Sequence, residues 1–363
     1  MKKSGLALIV SLFLLSAVMA GCNDAGEHSH EWGAAEVTRQ ATYTRDGEKT
    51  CTCKSCGQTR KEGIPKLTFT ADLTVSAGES ISAAVEAAED GNFILVEAGT
   101  YREQLKIENK RVTLIGQGTV VVAGPEDYSK MEIFEKPGDE QQNYTALALI
   151  VNAEALLENI AFTGDPDKAD IPFLTAENAY CGMACVDSAL TLQYVKIKEI
   201  IYPERPSGIQ NGRGLFATAT QENKPLTVLY SEISGFNKTG VVVRAGVSEF
   251  IFDGNTVTGA GSQTRNCQNG LQVECDEADI KNNTVKNLVY SKEDEWNHAS
   301  WAILVYGKGK EATKIGANLF DNVDNGVYIF VNGSTILGEN QYKNLYEEGY
   351  SHYETPEEDA SSS

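Results

Sequence analysis

An arginine and a glutamate occupy matching positions in two similar passages of the sequence. Arg244 lies four residues after the glycine that opens GVVVRAGVSEFIFDGNTVTG, and Glu274 lies four residues after the glycine that opens GLQVECDEADIKNNTVKN. If the two passages form neighbouring strands about 4.8 Å apart, the two side chains come into contact. A guanidinium and a carboxylate held together can bind a polar ligand or take part in proton transfer. Arg244 and Glu274 are therefore the candidate catalytic residues.

Polar and aromatic residues are predicted to surround this pair. Some are outward residues, found by counting from the residue that opens each passage. Others lie in the insertion Val289–Ser300 and in the strand after it. The apolar face of a sugar ring stacks on aromatic side chains, while its hydroxyls bind polar groups. The candidate substrate-binding residues are Gln272, Tyr306, Tyr328, Trp296, Trp301 and His298. An exposed ion pair among ordinary strand-forming aromatic residues is the alternative interpretation.

The elements that would position these residues repeat along the chain. Four passages close on an asparagine, at Asn255, Asn283, Asn318 and Asn340, with spacings of 28, 35 and 22 residues from the differences of their numbers. Repeats of about 20 to 50 residues indicate solenoids. Since these units contain only short strands and turns, we predict an all-β, right-handed parallel β-helix over residues 67–350. The four asparagines are predicted to form an internal ladder in which each amide bonds to the next turn.

The insertions between repeats all fall before a strand that opens on glycine. They span Tyr202–Arg213, Ala260–Gln268 and Val289–Ser300. Loops on one edge of a rigid scaffold often carry binding residues. We therefore expect them to wall a groove along the sheet that carries Arg244 and Glu274.

The start of the coil carries a helix signal and a turn motif. SISAAVEAA, from Ser80 to Ala88, has helical spacing of Ile81 and Val85, with Ser80 as the N-cap, and is predicted to cap the first turn. The passage that follows, through GTYREQLKI, resembles the start of pectin-lyase-like β-helix proteins, including pectin methylesterases. Their GxYxE turn appears here as Gly99, Tyr101 and Glu103. This resemblance implies the architecture and not the chemistry.

The catalytic motifs of the related enzyme families are incomplete in this sequence. SEFIFDG looks like one pectin methylesterase motif, but alignment on the glycine strand puts Val242 where that family has its nucleophile, and no QDTL-like pair exists. Polygalacturonase-like hydrolysis needs paired carboxylates, and the sheet offers only Glu274. We therefore expect binding of a glycan or a cell-surface protein without catalysis. The alternative is a polysaccharide lyase or epimerase acting on an acidic polysaccharide, with Arg244 as base and Ca²⁺ held by Glu274, Asp294 or Glu295.

The first residues read as a targeting segment. Lys2 and Lys3 precede the apolar run Leu6–Val18, and Ala20 and Gly21 stand before Cys22. This arrangement resembles the bacterial lipoprotein lipobox. The resemblance implies that residues 1–21 are removed, that Cys22 is lipidated, and that the exported chain is anchored to the bacterial cell membrane or outer surface. An ordinary secretory signal with an incidental cysteine is the alternative.

A short Cys- and His-rich module is expected over residues 22–66. The passage from HEWGAAEV to CKSCGQTR resembles a module of bacterial surface proteins with an HxW start and a CxxCG end, whose His, central Cys and CxxC pair look like metal ligands. Tyr43 stands here in place of the central Cys. The candidate zinc ligands are His30, Cys51, Cys53 and Cys56, with His28 as a substitute. Outside the cytoplasm a disulfide is the alternative.

The net charge and the remaining cysteines lead to further predictions. The formal net charge of −20 argues against nucleic acid as a partner. Cys185 is expected in the core, whereas Cys267 and Cys275 flank one insertion and could form a disulfide. The acidic tail, residues 351–363, is predicted to be disordered. The sequence does not predict an oligomeric state.

Overall fold

The computed structural model describes residues 29–135, 143–165, 178–201, 212–291, 299–306, 313–330, 335–346 and 350–353. The predicted signal peptide, Cys22 and residues 354–363 of the predicted tail lie outside these ranges. Residues 351–353, which were predicted to be disordered, belong instead to a strand, Tyr350–Tyr353. Within the described ranges, no helix has the length and apolar character needed to cross a bilayer. The described residues form two compact units: a small one from residues 29–40 and 47–64, and a large one from residues 41–46 and the described residues from 65 to 353.

The small unit is an antiparallel sheet of three strands in the order β1, β2, β3. These strands are β1 (Glu36–Arg39), β2 (Gly47–Thr52) and β3 (Thr59–Ile64). The CxxCG passage forms the turn between β2 and β3. Gly57 adopts φ 73°, which favours glycine, and its N–H donates to the carbonyl of Cys53 at 2.9 Å. The turn therefore depends on the glycine that closes the motif.

The large unit consists of short strands and one short α-helix. Its first part contains β4 (Leu73–Val75), α1 (Ile81–Ala87), β5 (Asn92–Val96), β6 (Gly99–Arg102), β7 (Leu105–Glu108), β8 (Arg111–Gly116), β9 (Val120–Ala123), a 3-10 helix (Tyr128–Lys130) and β10 (Phe134–Glu135). The middle contains β11 (Asn143–Val151), β12 (Glu154–Glu158), β13 (Ala161–Thr163), β14 (Asn178–Val186), β15 (Ala189–Gln193), β16 (Lys196–Lys198), β17 (Arg213–Thr218), β18 (Leu226–Leu229) and β19 (Glu232–Ser234). The last part contains β20 (Thr239–Val243), β21 (Phe250–Asp253), β22 (Thr256–Gln263), β23 (Asn269–Val273), β24 (Ala278–Lys281), β25 (Thr284–Tyr290), β26 (Trp301–Tyr306), β27 (Thr313–Gly316), β28 (Leu319–Val323), β29 (Asn325–Phe330), β30 (Thr335–Leu337), β31 (Gln341–Leu345) and β32 (Tyr350–Tyr353).

Successive turns of the chain each add one strand to each of three sheets. The first sheet runs β10-β11-β14-β17-β20-β23-β26-β29-β32, with β7 also paired with β11. The second runs from β4 and β5 to β30, and the third from β6 to β31. Apart from the antiparallel pair β10–β11, the strands within these sheets are parallel. The predicted right-handed parallel β-helix is confirmed.

The glycine that opens each repeat is needed for close packing inside the coil. A Cβ on Gly240 would lie 2.8 Å from the carbonyl oxygen of Gly270, and one on Gly270 would lie 2.4 Å from that of Ala302. Any side chain at these positions would collide with the backbone of the next turn. After the glycine, an inward apolar residue recurs in register, and this column is fully buried. Its members include Leu215, Val241, Leu271, Ile303 and Val327.

The asparagine ladder is confirmed. Asn255 Nδ2 donates to Asn283 Oδ1 at 3.1 Å, Asn283 Nδ2 to Asn318 Oδ1 at 2.9 Å, and Asn318 Nδ2 to Asn340 Oδ1 at 3.0 Å. Each of the first three amides also donates to a backbone carbonyl of the preceding turn, such as that of Phe252. Each ladder carboxamide therefore satisfies buried polar groups of two turns.

The predicted cap is also found. Ser80 accepts from the N–H of Ala83 at 3.1 Å, and α1 buries Ile81 and Val85 against the coil. Glu103 of the GxYxE turn accepts from the N–H of Ile81 at 2.7 Å. The motif thus supplies a carboxylate to the start of the helix, where free N–H groups favour negative charge.

The segment 41–46, which the sequence assigned to the Cys-rich module, packs within the large unit. Glu158 is fully buried and accepts hydrogen bonds from the N–H of Tyr43 at 3.0 Å, the N–H of Thr44 at 2.7 Å and the Thr44 hydroxyl. The Tyr43 ring packs edge-on against Phe69 and Phe93. Tyr43 therefore anchors this segment, which explains an aromatic residue where the resembling module has cysteine.

Removal of the Glu158 carboxylate is expected to release this segment. Glu158→Ala leaves three donors without their acceptor, so we expect the free energy of unfolding to fall by about 2 to 4 kcal/mol. Limited trypsin digestion should then cleave faster after Arg45. Glu154→Ala is the matched control, because Glu154 is an exposed residue of the same strand, β12. Equal cleavage rates in the two variants would contradict the anchoring role.

Candidate functional site

The outward face of the first sheet divides into two parts. On β11, β14, β17 and β20 a group of outward apolar residues is at most 2% exposed, and we call it the outer apolar cluster. Its members are Tyr144, Ala146, Leu149, Cys181, Ala184, Phe216 and Val242. From β23 onward the same face carries partly exposed polar and aromatic residues around the buried Leu304. A groove along this sheet therefore stays a prediction, and only for its later strands.

The predicted contact between Arg244 and Glu274 is present. Arg244 Nη1 lies 2.9 Å from Glu274 Oε1, and the side chains are 25% and 17% exposed. Gln272 Nε2 donates to the same carboxylate oxygen at 3.0 Å. Arg244 and Glu274 directly follow β20 and β23, and their N–H groups donate to Ala217 and Val243 at 2.8 Å. The strand register therefore holds both side chains one turn apart on one face.

Four aromatic rings lie on the outward side of β26 and β29, and we call them the aromatic patch: Trp301, Tyr306, Tyr328 and Phe330. The ring centroids of Trp301 and Tyr328 are 4.9 Å apart, and those of Tyr306 and Phe330 are 6.0 Å apart. The Tyr328 and Phe330 rings are nearly parallel, at 10°. Burial, together with the neighbouring Tyr328 and Glu274, raises the pKa of Tyr306. The charge of Glu274 thus acts on a residue of the aromatic patch, so the patch and the Arg244–Glu274 pair are neighbours.

Sequence reasoning did not select Phe330 for the site. The alternation in β29 was the available signal, because Tyr328 and Phe330 are two residues apart and share a face. Trp296, His298, Asp294 and Glu295, which the sequence suggested for the site, lie outside the described residues.

The first part of the insertion 260–268 is a strand and not a loop. It prolongs β22 and pairs with β25, with Gly261 opposite Leu288 and Gln263 opposite Tyr290. Gln268 is 3% exposed, accepts from the N–H of Ala260 and donates to the Phe236 carbonyl. These contacts fold this insertion back on the coil. The expectation that it walls a groove is not supported by them.

A second cluster of chemically active side chains lies in the small unit. His30, Cys53 and Cys56 have ligand atoms within 4.8 Å of one another, with Cys56 Sγ 3.5 Å from His30 Nδ1. Cys53 is 1% exposed. A hydrogen bond from the Ser55 hydroxyl, with further ones from His30 and the turn backbone, lowers the pKa of Cys53 to about 5. A thiolate and an imidazole at this separation suit Zn²⁺.

Cys51 lies outside this cluster, although the sequence suggested it as a ligand. It is a buried residue of β2 and pairs with Arg60. Residues two apart on a strand are separated by about 6.8 Å, whereas two thiolates on one tetrahedral zinc ion lie about 3.8 Å apart. His28, the suggested substitute, lies outside the described residues. The cysteines that the structure describes, Cys267 and Cys275 included, form no disulfide.

Comparison with known proteins gives similarity of fold. No family model matches the chain, and no curated protein matches its sequence. A pectin methylesterase from Yersinia enterocolitica is 12% identical, with a TM-score of 0.38 over 76% of this chain and 94% of that chain. A family 28 exopolygalacturonase from the same organism is 11% identical, with a TM-score of 0.31 over 85% and 83%. The surface protein and adhesin PfbA of Streptococcus pneumoniae is 9% identical, with a TM-score of 0.27 over 78% and 100%. At these identities the similarities carry no information about activity.

Proposed function

We propose that this chain is an exported, lipid-anchored protein whose β-helix binds a glycan without catalysis. The observation that supports it is the adjacency of a polar cluster and an aromatic patch on one partly exposed face. Arg244 and Gln272 both donate to Glu274, and the charge of Glu274 contributes to the raised pKa of Tyr306. Cys22 would carry the lipid, which keeps the protein at the membrane surface.

The chemistry of this face matches that of a sugar. A sugar ring has an apolar face that packs on aromatic rings and hydroxyls that need hydrogen-bond partners. Trp301, Tyr328 and Phe330 supply ring surface, and Gln272, Glu274 and Arg244 supply donors and acceptors. Neighbouring strands about 4.8 Å apart place the polar groups and the rings one after the other along the coil, which suits a chain of linked sugars.

The same geometry argues against catalysis by this pair. Glycoside hydrolysis needs two carboxylates on either side of the bond, and from β20 to β29 the described outward face of this sheet carries one, Glu274. Arg244 donates to a carboxylate at 2.9 Å, and a guanidinium is a poor base in any protein. A lyase or epimerase that uses Ca²⁺ remains the alternative, with Asp294 and Glu295 as further calcium ligands. A cell-surface protein is the alternative partner.

Binding should depend on the aromatic patch. Trp301→Ala and Tyr328→Ala are each expected to weaken glycan binding by roughly tenfold or more, as for buried aromatic residues at other interfaces. The measurement is a glycan array followed by titration calorimetry with the strongest ligand. Tyr346→Ala is the control, because Tyr346 is 63% exposed and lies outside the patch.

A degradation assay with and without Ca²⁺ separates the two functional classes. Release of unsaturated sugars by the wild type, abolished in Arg244→Ala, would replace the binding proposal by the lyase alternative. Retention of a glycan without turnover supports binding. Absence of any glycan ligand, with capture of a defined surface protein instead, would favour the protein-binding alternative.

We also propose a structural zinc ion in the small unit, held by His30, Cys53 and Cys56. The donor set fits, because these residues offer one imidazole and two thiols within 4.8 Å, and one thiol has a lowered pKa. Bound zinc would stabilise the turn between β2 and β3. A structural site needs a fourth ligand, for which His28 is the first candidate.

The lipid anchor has a direct test. Cys22→Ser should release the protein from the membrane fraction and abolish incorporation of a labelled fatty acid. Unchanged membrane association and labelling in this variant would contradict the anchor.

A further inference from the structure

A buried arginine lies on the outer face of the first sheet without a charge partner in the described chain. Arg213 begins β17 and is 6% exposed. Its Nη1 donates to the Tyr144 hydroxyl at 3.2 Å, and its guanidinium lies 5.4 Å from the ring centroids of Tyr144 and Phe216. Its Nε is buried and has no hydrogen-bond partner. No carboxylate of the described residues forms an ion pair with it.

A second unsatisfied group lies beside it on the next turn. Thr239 is the register partner of Arg213 on β20, and its hydroxyl is fully buried without a partner within the described structure. Nearly all buried polar atoms in proteins have a hydrogen-bond partner, so two adjacent atoms without one indicate a missing ligand.

The neighbouring polar side chains cannot neutralise this arginine. Burial raises the pKa of Cys181, the register partner of Arg213 on β14, to about 12 despite the positive charge nearby. The thiol is therefore neutral at physiological pH. Tyr144 contributes a neutral hydroxyl. A guanidinium stays charged at any accessible pH, and a buried charge without a counterion is strongly unfavourable.

We propose that Arg213 and Thr239 form a binding site for a carboxylate group on the outer face of the coil. A carboxylate is planar and accepts hydrogen bonds in parallel from a guanidinium edge. Its oxygens would accept from Arg213 Nε and from the Thr239 hydroxyl, which satisfies both unpaired groups. Water would satisfy the hydrogen bonds and leave the charge uncompensated. The site is separate from the Arg244–Glu274 pair, where the cation already has its carboxylate.

Thermal unfolding of the full chain tests this site with defined probes. Sodium acetate and sodium glucuronate should each raise the unfolding temperature of the wild type in a saturable way. Response to both indicates recognition of the carboxylate alone, whereas response to glucuronate only indicates that the site takes the carboxylate of a sugar acid. Sodium chloride and sodium phosphate at matched ionic strength should have a smaller effect.

Two variants remove the recognising groups. Arg213→Met keeps the volume and removes the charge, and Thr239→Val removes only the hydroxyl. Arg213→Met should abolish the response to both carboxylates, and Thr239→Val should weaken binding by about tenfold. Arg213→Met should unfold at or above the wild-type temperature in carboxylate-free buffer, because it removes an uncompensated charge. Arg111→Met, at an exposed arginine of β8, should respond like the wild type.

The proposal is overturned by any of three results. The first is a wild type that responds to neither carboxylate. The second is a response that chloride or phosphate reproduces in full. The third is a carboxylate response in Thr239→Val that equals the wild-type response, provided that Arg213→Met also responds equally or does not fold.

Discussion

Replacement of Asn283 by alanine is expected to lower the free energy of unfolding by about 3 to 5 kcal/mol. Asn283 is 2% exposed and occupies the middle of the ladder. Its Oδ1 accepts from the N–H of Asn255 at 2.8 Å and from the Asn255 amide, and its Nδ2 donates to Phe252 and Asn318. Alanine leaves several of these buried groups unpaired, at about 1 to 3 kcal/mol each with incomplete additivity.

The end of the ladder provides the matched control. Asn340 Oδ1 accepts a hydrogen bond from the Asn318 amide at 3.0 Å. Asn340 lies on the last turns of the coil and is partly exposed. Water can replace its partners, so Asn340→Ala should cost about 1 kcal/mol. Chemical denaturation followed by circular dichroism measures both variants. If Asn283→Ala costs no more than Asn340→Ala, the ladder does not stabilise the interior of the coil.

The position of the change should also affect cooperativity. Each turn of a solenoid contacts only its neighbours, so stability is close to a sum of local and interface terms. A weak turn at Asn283 divides the coil into two stretches. We therefore expect Asn283→Ala to broaden the unfolding transition or split it in two, whereas Asn340→Ala should leave its shape unchanged.

Features that depend on a local pattern were predictable from the sequence. The helix α1 follows from the spacing of Ile81 and Val85 and from the N-cap at Ser80. The ladder follows from an asparagine at one point of each repeat. The contact between Arg244 and Glu274 follows from counting along two strands, because a parallel register keeps equal counts side by side.

Features that depend on distant parts of the chain were not predictable. Glu158 binds the segment around Tyr43 and Thr44, more than a hundred residues earlier, and neither sequence stretch indicates the other. Alternation places Phe216 and Val242 on the outer face, but it does not show that this part of the face is buried. Cys51 was suggested by proximity to the CxxC motif, whereas the rise of an extended strand separates it from the motif.

Loss of one cysteine in the small unit is expected to reduce zinc affinity by at least a hundredfold. Changes to groups that merely orient a ligand already cost about 10- to 100-fold, and Cys53→Ser removes a ligand. We expect the purified full chain to carry one zinc ion, by elemental analysis, and Cys53→Ser and Cys56→Ser to carry almost none. Cys267→Ser should keep the metal, because Cys267 belongs to the coil.

The fourth ligand is decided by two further variants. His28→Ala should lower zinc affinity as strongly as Cys53→Ser if His28 completes the site, and Cys51→Ser should leave it nearly unchanged. The opposite result would restore Cys51 as a ligand and require β2 to bend at Thr52. Zinc-free wild type with a disulfide between two of these cysteines would overturn the metal site.

Metal removal should act on the small unit without unfolding the coil. The small sheet has three strands, and among the described residues of this unit the buried hydrophobic ones are Cys51 and Cys53. A sheet of this size has too little apolar surface to fold alone, so metal binding would supply its folding free energy. Chelation should therefore raise amide exchange across β2 and β3, while β20 and β23 keep their protection. Equal exchange in both units after chelation would mean that the zinc ion does not determine the folding of the small sheet.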